Sequence, residues 1–119
     1  MDKLIAWVEI PTTNFERAVN FYSKVLHVKI EGMDFGTEKM AMLPNGEGAI
    51  VEADGYQPAG QGVMVSLNVT DNMEATLERI ETNGGKILRG KTKIEAEGKG
   101  YFAIFKDSEG NRLGFYSEA

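Results

Sequence analysis

The chain repeats itself. T-T-N-F-E-R-A-V-N-F-Y-S-K-V-L near the start and T-D-N-M-E-A-T-L-E-R-I-E-T-N-G-G in the second half each place polar capping residues ahead of an apolar stripe. Adding about 58 residues lays one on the other. Thr13 falls on Asp71, Glu16 on Glu74, Phe15 on Met73, Val19 on Leu77 and Tyr22 on Ile80. Phe15, Ala18, Val19, Tyr22, Val25 and Leu26 follow helical spacing, as do Met73, Thr76, Leu77 and Ile80. Thr13 with Glu16, and Asp71 with Glu74, read as capping boxes, and Gly84-Gly85 ends the second helix.

Each helix follows an alternating strand. Ala6, Val8 and Ile10 share one face, with Trp7 and Glu9 opposite; Val63, Val65, Leu67 and Val69 share another, with Met64, Ser66 and Asn68 opposite. Three further strands are predicted after each helix: Val28–Glu31, Lys39–Leu43 and Ala49–Ala53, then Lys86–Leu88, Tyr101–Phe105 and Arg112–Ser117. The plan is therefore βαβββ twice, an α+β chain with module one at 1–54, a linker at 55–62 and module two at 63–119. The aliphatic strand faces belong against the helices. The opposite faces mix aromatic and polar residues, which suits the wall of a partly wet cavity. Lys91–Gly100 reads as a charged connection or a lid over that cavity.

Composition removes several function classes. With no cysteine among 119 residues, disulfides and thiolate metal sites are excluded. A net charge of −5 without a basic cluster argues against nucleic acid as a partner. No apolar run approaches about 18 residues, and the N-terminus lacks a signal-peptide pattern, so no membrane contact and a cytoplasmic location are expected.

The stretch E-I-P-T-T-N-F-E-R-A-V-N-F-Y-S-K-V-L resembles the opening module of the vicinal oxygen chelate superfamily, which includes glyoxalase I, bleomycin resistance proteins, fosfomycin resistance proteins and extradiol dioxygenases. The ending D-S-E-G-N-R-L-G-F-Y is similar to that superfamily's final hairpin. The resemblance implies tandem βαβββ modules whose mixed sheets curve into a cup, usually in a homodimer. Metal-dependent members place His, Glu or Gln ligands on the leading and last strand of each module. Matched residue by residue, those positions fall here on Trp7, Glu52, Met64 (Val65 without a gap) and Gly114. Indole, thioether and glycine are no ligands for a hard divalent ion. No metal and no cofactor are expected, and the missing side chain at Gly114 is expected to leave room for a ligand or for Trp7.

The sole histidine, His27, stands at the end of the first helix, where a cationic imidazole suits the dipole. Glu9 and Glu52 are candidates to face the cup, as a proton-transferring pair or as structural hydrogen-bond acceptors. Arg112, Gly114 and Tyr116 alternate on the last strand and share a face, where Arg112 can meet an anionic group. The methionines, Met33, Met40, Met42 and Met64 among them, serve equally as adaptable pocket lining or core filler. The leading expectation is a binding module for a small, largely apolar or aromatic molecule, with Trp7 and Tyr116 stacking on it and Ser66, Asn68 and Arg112 orienting it. The alternatives are a lyase or isomerase of the glyoxalase I type, a metal-free proton shuttle on Glu9 or Glu52, and a structural role with a collapsed pocket.

Overall fold

Apolar stripes and alternating strands fold as two successive units in the computed structural model, which describes residues 4–119. The first comprises β1 (Val8–Pro11), α1 (Phe15–Leu26), β2 (Gly32–Asp34), β3 (Glu38–Met42) and β4 (Gly48–Ala53), with a 3-10 turn at Pro44–Gly46 between the last two. The second comprises β5 (Ser66–Asn68), α2 (Met73–Thr82), β6 (Lys86–Lys93), β7 (Tyr101–Lys106) and β8 (Arg112–Ser117). Sheet one has the order β1-β4-β3-β2 and sheet two β5-β8-β7-β6. In each, the leading strand runs parallel to the last, and the other neighbours are antiparallel.

Both helices start one residue later than the capping boxes predict. Asn14 accepts from the Arg17 amide (3.2 Å), and Asn72 accepts from the Ala75 amide (2.8 Å). The two asparagines keep the spacing of the repeat, so the repeat was sound and the cap assignment was not. Glu16 and Glu74 then sit at the second helical position, where no reciprocal bond to the cap forms. Thr12, two residues ahead of its cap, and Asp71, one residue ahead, accept from the amides of Asn14 and Asn72 (both 2.8 Å).

Three strands differ from expectation. Residues 28–31 pair with nothing: Ile30 is drawn into the core instead, and the ladder begins where Gly32 meets Ala41. The strand predicted from Val63 pairs only over Ser66–Asn68, and Val63 is 96% exposed. Conversely, β6 runs on through Lys91 to Lys93 across two register shifts. Its lysines suit an edge strand, which charge protects from pairing with other chains. The loop beyond closes on itself through Ile94 N–H to Gly100 O (2.9 Å), and Lys93 Nζ donates to Lys99 O (2.6 Å), so it is a hairpin turn and not a lid.

One core serves both modules. Ala18, Tyr22, Val25 and Leu26 of α1 pack with Ile10, Ala41 and Ile50 of sheet one and with Phe105, Leu113 and Phe115 of sheet two. Phe21, outside the predicted stripe, is also buried: it lies 6.3 Å from the Phe105 ring, which stacks on Phe115 at 4.6 Å. A helix covered on two sides needs a wider apolar face than its own sheet requires. Burial of such aromatic rings is the main attraction between the modules.

Polar bonds fix the same junction. In the turn Asp107–Asn111, the Asp107 carboxylate accepts from the buried Tyr22 hydroxyl (2.7 Å) and from the amides of Glu109 and Asn111. Asn111 donates to Pro11 O (2.9 Å) and accepts from the Ala59 amide (3.0 Å). Arg17 grips Glu109 through two nitrogens (2.8 and 2.9 Å), and Thr12 adds a third donor at 2.7 Å. Burial, reinforced by the Asp107 charge, raises the Tyr22 phenol well above its ordinary value. Burial alone would raise the Glu109 carboxyl, but the bonds from Arg17, Thr12 and Ser108 outweigh it and hold it below the usual range.

Candidate functional site

With the helices on one side of each sheet, register decides which side chains reach the other. Ile10, Ile50 and Ala41 face the core, so their neighbours Glu9, Ala49, Val51, Met40 and Met42 take the free face, joined by Met33 opposite Met40. Trp7, just before β1, is 39% exposed and donates Nε1–H to Glu9 at 3.3 Å. The second Glu9 oxygen accepts from the Tyr56 hydroxyl at 2.9 Å. This bond, with the glutamate's charge, raises the Tyr56 phenol from its ordinary value. Sequence reasoning missed Tyr56, because its linker position carries no periodic signal.

Glu52 does not face the cup. It pairs with Lys39, on the core side of the sheet, and accepts from the Phe15 amide at 2.8 Å. The negative charge satisfies one of the open donors at the start of α1 and suits the helix dipole there. The pairing of Glu9 with Glu52 on one wall is therefore corrected: Val51, almost fully buried, holds the free-face position beside Glu52.

On sheet two, Ser66, Gly114 and Ile104 form one cross-strand row, and Asn68, Tyr116 and Phe102 the next. A Cβ at Gly114 would stand 2.6 Å from Ser66 Oγ, 3.2 Å from Ala103 O and 3.5 Å from Met64 Cε. The space expected for a ligand or for Trp7 is thus already filled by Ser66 and Met64. Tyr116 accepts from the Gly100 amide (3.2 Å) and donates to Glu118 (3.1 Å). Arg112 donates through Nη2 to Gly62 O (3.1 Å), while its Nε, shielded from solvent, has no partner among the described residues.

Two clefts take in some of these groups, Ser66 and Asn68 in one and Glu9 and Arg112 in the other, while Trp7, Met64, Gly114 and Tyr116 line neither. One of about 480 Å³ opens between β1 and β5, with Ser66 and Asn68 on one wall and Ile5, Val8 and Leu43 on the other. A smaller one, about 180 Å³, brings Glu9 and Arg112 together beside Gln57, Gln61 and Val65. His27 is exposed and holds the left-handed end of α1 (φ 58°), its amide bonded to Ser23 O. That is a geometric task, usually given to glycine. At the expected metal positions, Trp7, Met64 and Gly114 supply no hard donor, and Glu52 points to the helix. Among the described residues no group of three or more His, Cys, Asp or Glu is placed to hold an ion. The donor set does not fit a divalent metal.

Residues 4–115 match the family model of the Glyoxalase/Bleomycin resistance protein/Dioxygenase superfamily. The chain belongs to that superfamily. It is 30% identical over 117 residues to a glyoxylase-like domain-containing protein of Didymella fabae, covering 90% of this chain and 88% of that one. Its fold is similar to a glyoxalase/bleomycin resistance protein of Albidiferax ferrireducens T118 (TM-score 0.70, 17% identity, 95% of this chain and 97% of that one). It is also similar to a glyoxalase I variant of Zea mays (TM-score 0.72, 18% identity), where it covers 97% of itself and 45% of the larger chain. In this superfamily member no helix among the described residues is long and apolar enough to cross a membrane.

Proposed function

We propose that this protein binds a small, largely apolar or aromatic molecule in a cup built on the free sheet faces, without a catalytic metal, as a cytoplasmic homodimer. One observation carries the reading: the positions where metal-dependent relatives hold their ligands are here an indole, a thioether, a glycine and a carboxylate turned to its helix. The free faces also carry groups that recognise organic molecules, namely the methionines of sheet one and Tyr116 with the polar Ser66 and Asn68 of sheet two, and Trp7 precedes β1. Such a mixture of flat, flexible and hydrogen-bonding side chains orients a ligand without reacting with it. Trp7 is the sole tryptophan, so its emission reports on the face directly. Screening aromatic compounds by thermal shift and Trp7 fluorescence tests the reading. A ligand that raises the melting temperature and changes the emission supports it; a library that moves neither contradicts it.

A second reading, proton transfer by the carboxylate of Glu9, draws on its fixed position between Trp7 and Tyr56. Turnover of the methylglyoxal–glutathione hemithioacetal that disappears in Glu9→Gln would favour this lyase or isomerase chemistry over binding alone.

A further inference from the structure

We propose that the free face of sheet two takes an oxyanion of more than one negative charge, of the phosphate or phosphonate type, carried on an aromatic or unsaturated body. The proposal rests on the ligand-binding reading above and names the class of ligand. Its origin is a row of cations that the sheet register places side by side. Lys86 pairs with Lys106, and Lys106 pairs with Arg112, so all three side chains rise from the same face on adjacent strands. Strands lie about 4.8 Å apart, so the three bases span roughly 10 Å, within reach of one tetrahedral group. Arg89, stacked over the Phe102 ring at 5.2 Å, adds a fourth cation to that face.

No ion pair among the described residues neutralises these charges, although Glu9 lines the same small cleft as Arg112. The ion pairs among the described residues join Arg17 to Glu109, Lys29 to Glu31, Arg79 to Asp71 and Lys91 to Glu74, and none engages the four cations of this face. The chain has 18 acidic residues against 13 basic ones, yet β5, β7 and β8 contain no acid at all. Like charges directly opposite each other destabilise a sheet, so the row works against folding unless something anionic offsets it. Arg112 repeats the point at atomic scale: the hydrogen bond its guanidinium makes is to one neutral carbonyl, Gly62 O, and to no carboxylate. An arginine at one end of a row of lysine point charges suits an oxyanion with three exposed oxygens. A single carboxylate would neutralise only one of the cations. The body of the ligand would lie over the next rows, on Ile104 and against Phe102 and Tyr116. A nucleic-acid strand is a poor fit, because the patch is confined to this face and the chain's net charge is −5.

The test is an amide NMR titration of the full chain with three probes: phenylphosphonate, benzyl alcohol and inorganic phosphate. Phenylphosphonate is expected to shift amides around Lys86, Lys106, Arg112, Phe102 and Tyr116, to bind roughly tenfold more tightly than benzyl alcohol, and to weaken about as much when salt is raised. Phosphate should compete with it. Lys106→Ala and Lys86→Ala, at exposed positions, should each weaken phenylphosphonate several-fold and leave benzyl alcohol unchanged. Equal binding of both aromatic probes, unaltered in these variants, would overturn the oxyanion assignment and leave the aromatic pocket standing. Phosphate binding at the row without response to either aromatic probe would instead overturn the pocket. Shifts of the same amides on raising protein concentration alone would give the row to a second copy's acidic face and overturn the proposal.

Discussion

Module one turns Glu9, Glu38 and three methionines, Met33, Met40 and Met42, away from the core, with no cation among them. Module two turns Lys86, Arg89, Lys106 and Arg112 outward beside Phe102, Ile104 and Tyr116, on strands that carry no acid. Beneath these opposite faces the frames agree: an asparagine cap, a helix, and a leading strand parallel to the last. Core packing and capping hold the repeat in place, while nothing in folding constrains the outer faces to match. They are where the two copies have separated, and where ligand chemistry is to be sought.

The junction offers the largest effect. If the modules stand on one shared core, Tyr22→Phe should cost about 2 kcal/mol in urea denaturation, because a buried carboxylate loses its phenolic donor. The unfolding transition should stay single; two separated transitions would show independent modules. Next comes Gly114→Ala, expected to cost about 1–2 kcal/mol through the clash with Ser66 Oγ. Combining it with Ser66→Gly should recover much of that loss, and no recovery would place the strain elsewhere. The equivalence of the frames is tested by Asn14→Ala and Asn72→Ala, each expected to cost about 1 kcal/mol. Markedly unequal losses would mean the repeat is only formal.

Acid sharpens the difference between the junction and the rest of the surface. Glu109 is held below its ordinary range in the folded chain, so the unfolded chain binds the proton more readily. Its contribution is present above the unfolded value, about pH 4.5, and is lost as pH falls through the lower folded value. Arg17→Met should therefore flatten the acid limb of a stability–pH curve; an unchanged limb would remove Glu109 from the account. The smallest effect lies at the helix ends. His27 occupies a left-handed position in module one, whereas module two gives that conformation to Gly84. His27→Gly should stabilise by about 0.5–1 kcal/mol, measured by thermal melt, and Asn83→Gly should give no such gain.

Much of the frame was legible because it is written in short-range signals. Helical stripes, alternating strands and the spacing between copies survive reading from one chain, and the last strand, Arg112–Ser117, falls as predicted. What escaped depends on contacts distant in sequence. Phe21 looks surplus until sheet two supplies Phe105, and the turn at Asp107–Asn111 reads as punctuation until Tyr22, Arg17 and Thr12 close on it. Glu52 was misplaced because a strand's parity can be set only by knowing which neighbour faces the helix; one residue's slip exchanges the two faces. Gly114 was recognised as unusual, but its reason, the close approach of Ser66 and Met64, needs the register of β5 on β8.

That no set of metal donors gathers on the free faces among the described residues is the claim from which the rest follows. Refolding the protein with Ni, Zn, Mn or Fe, dialysing it exhaustively and measuring metal by mass spectrometry tests this directly. The expected content is below about 0.1 ion per chain, because one surviving carboxylate holds no divalent ion against water. One tightly retained ion per chain would contradict the account.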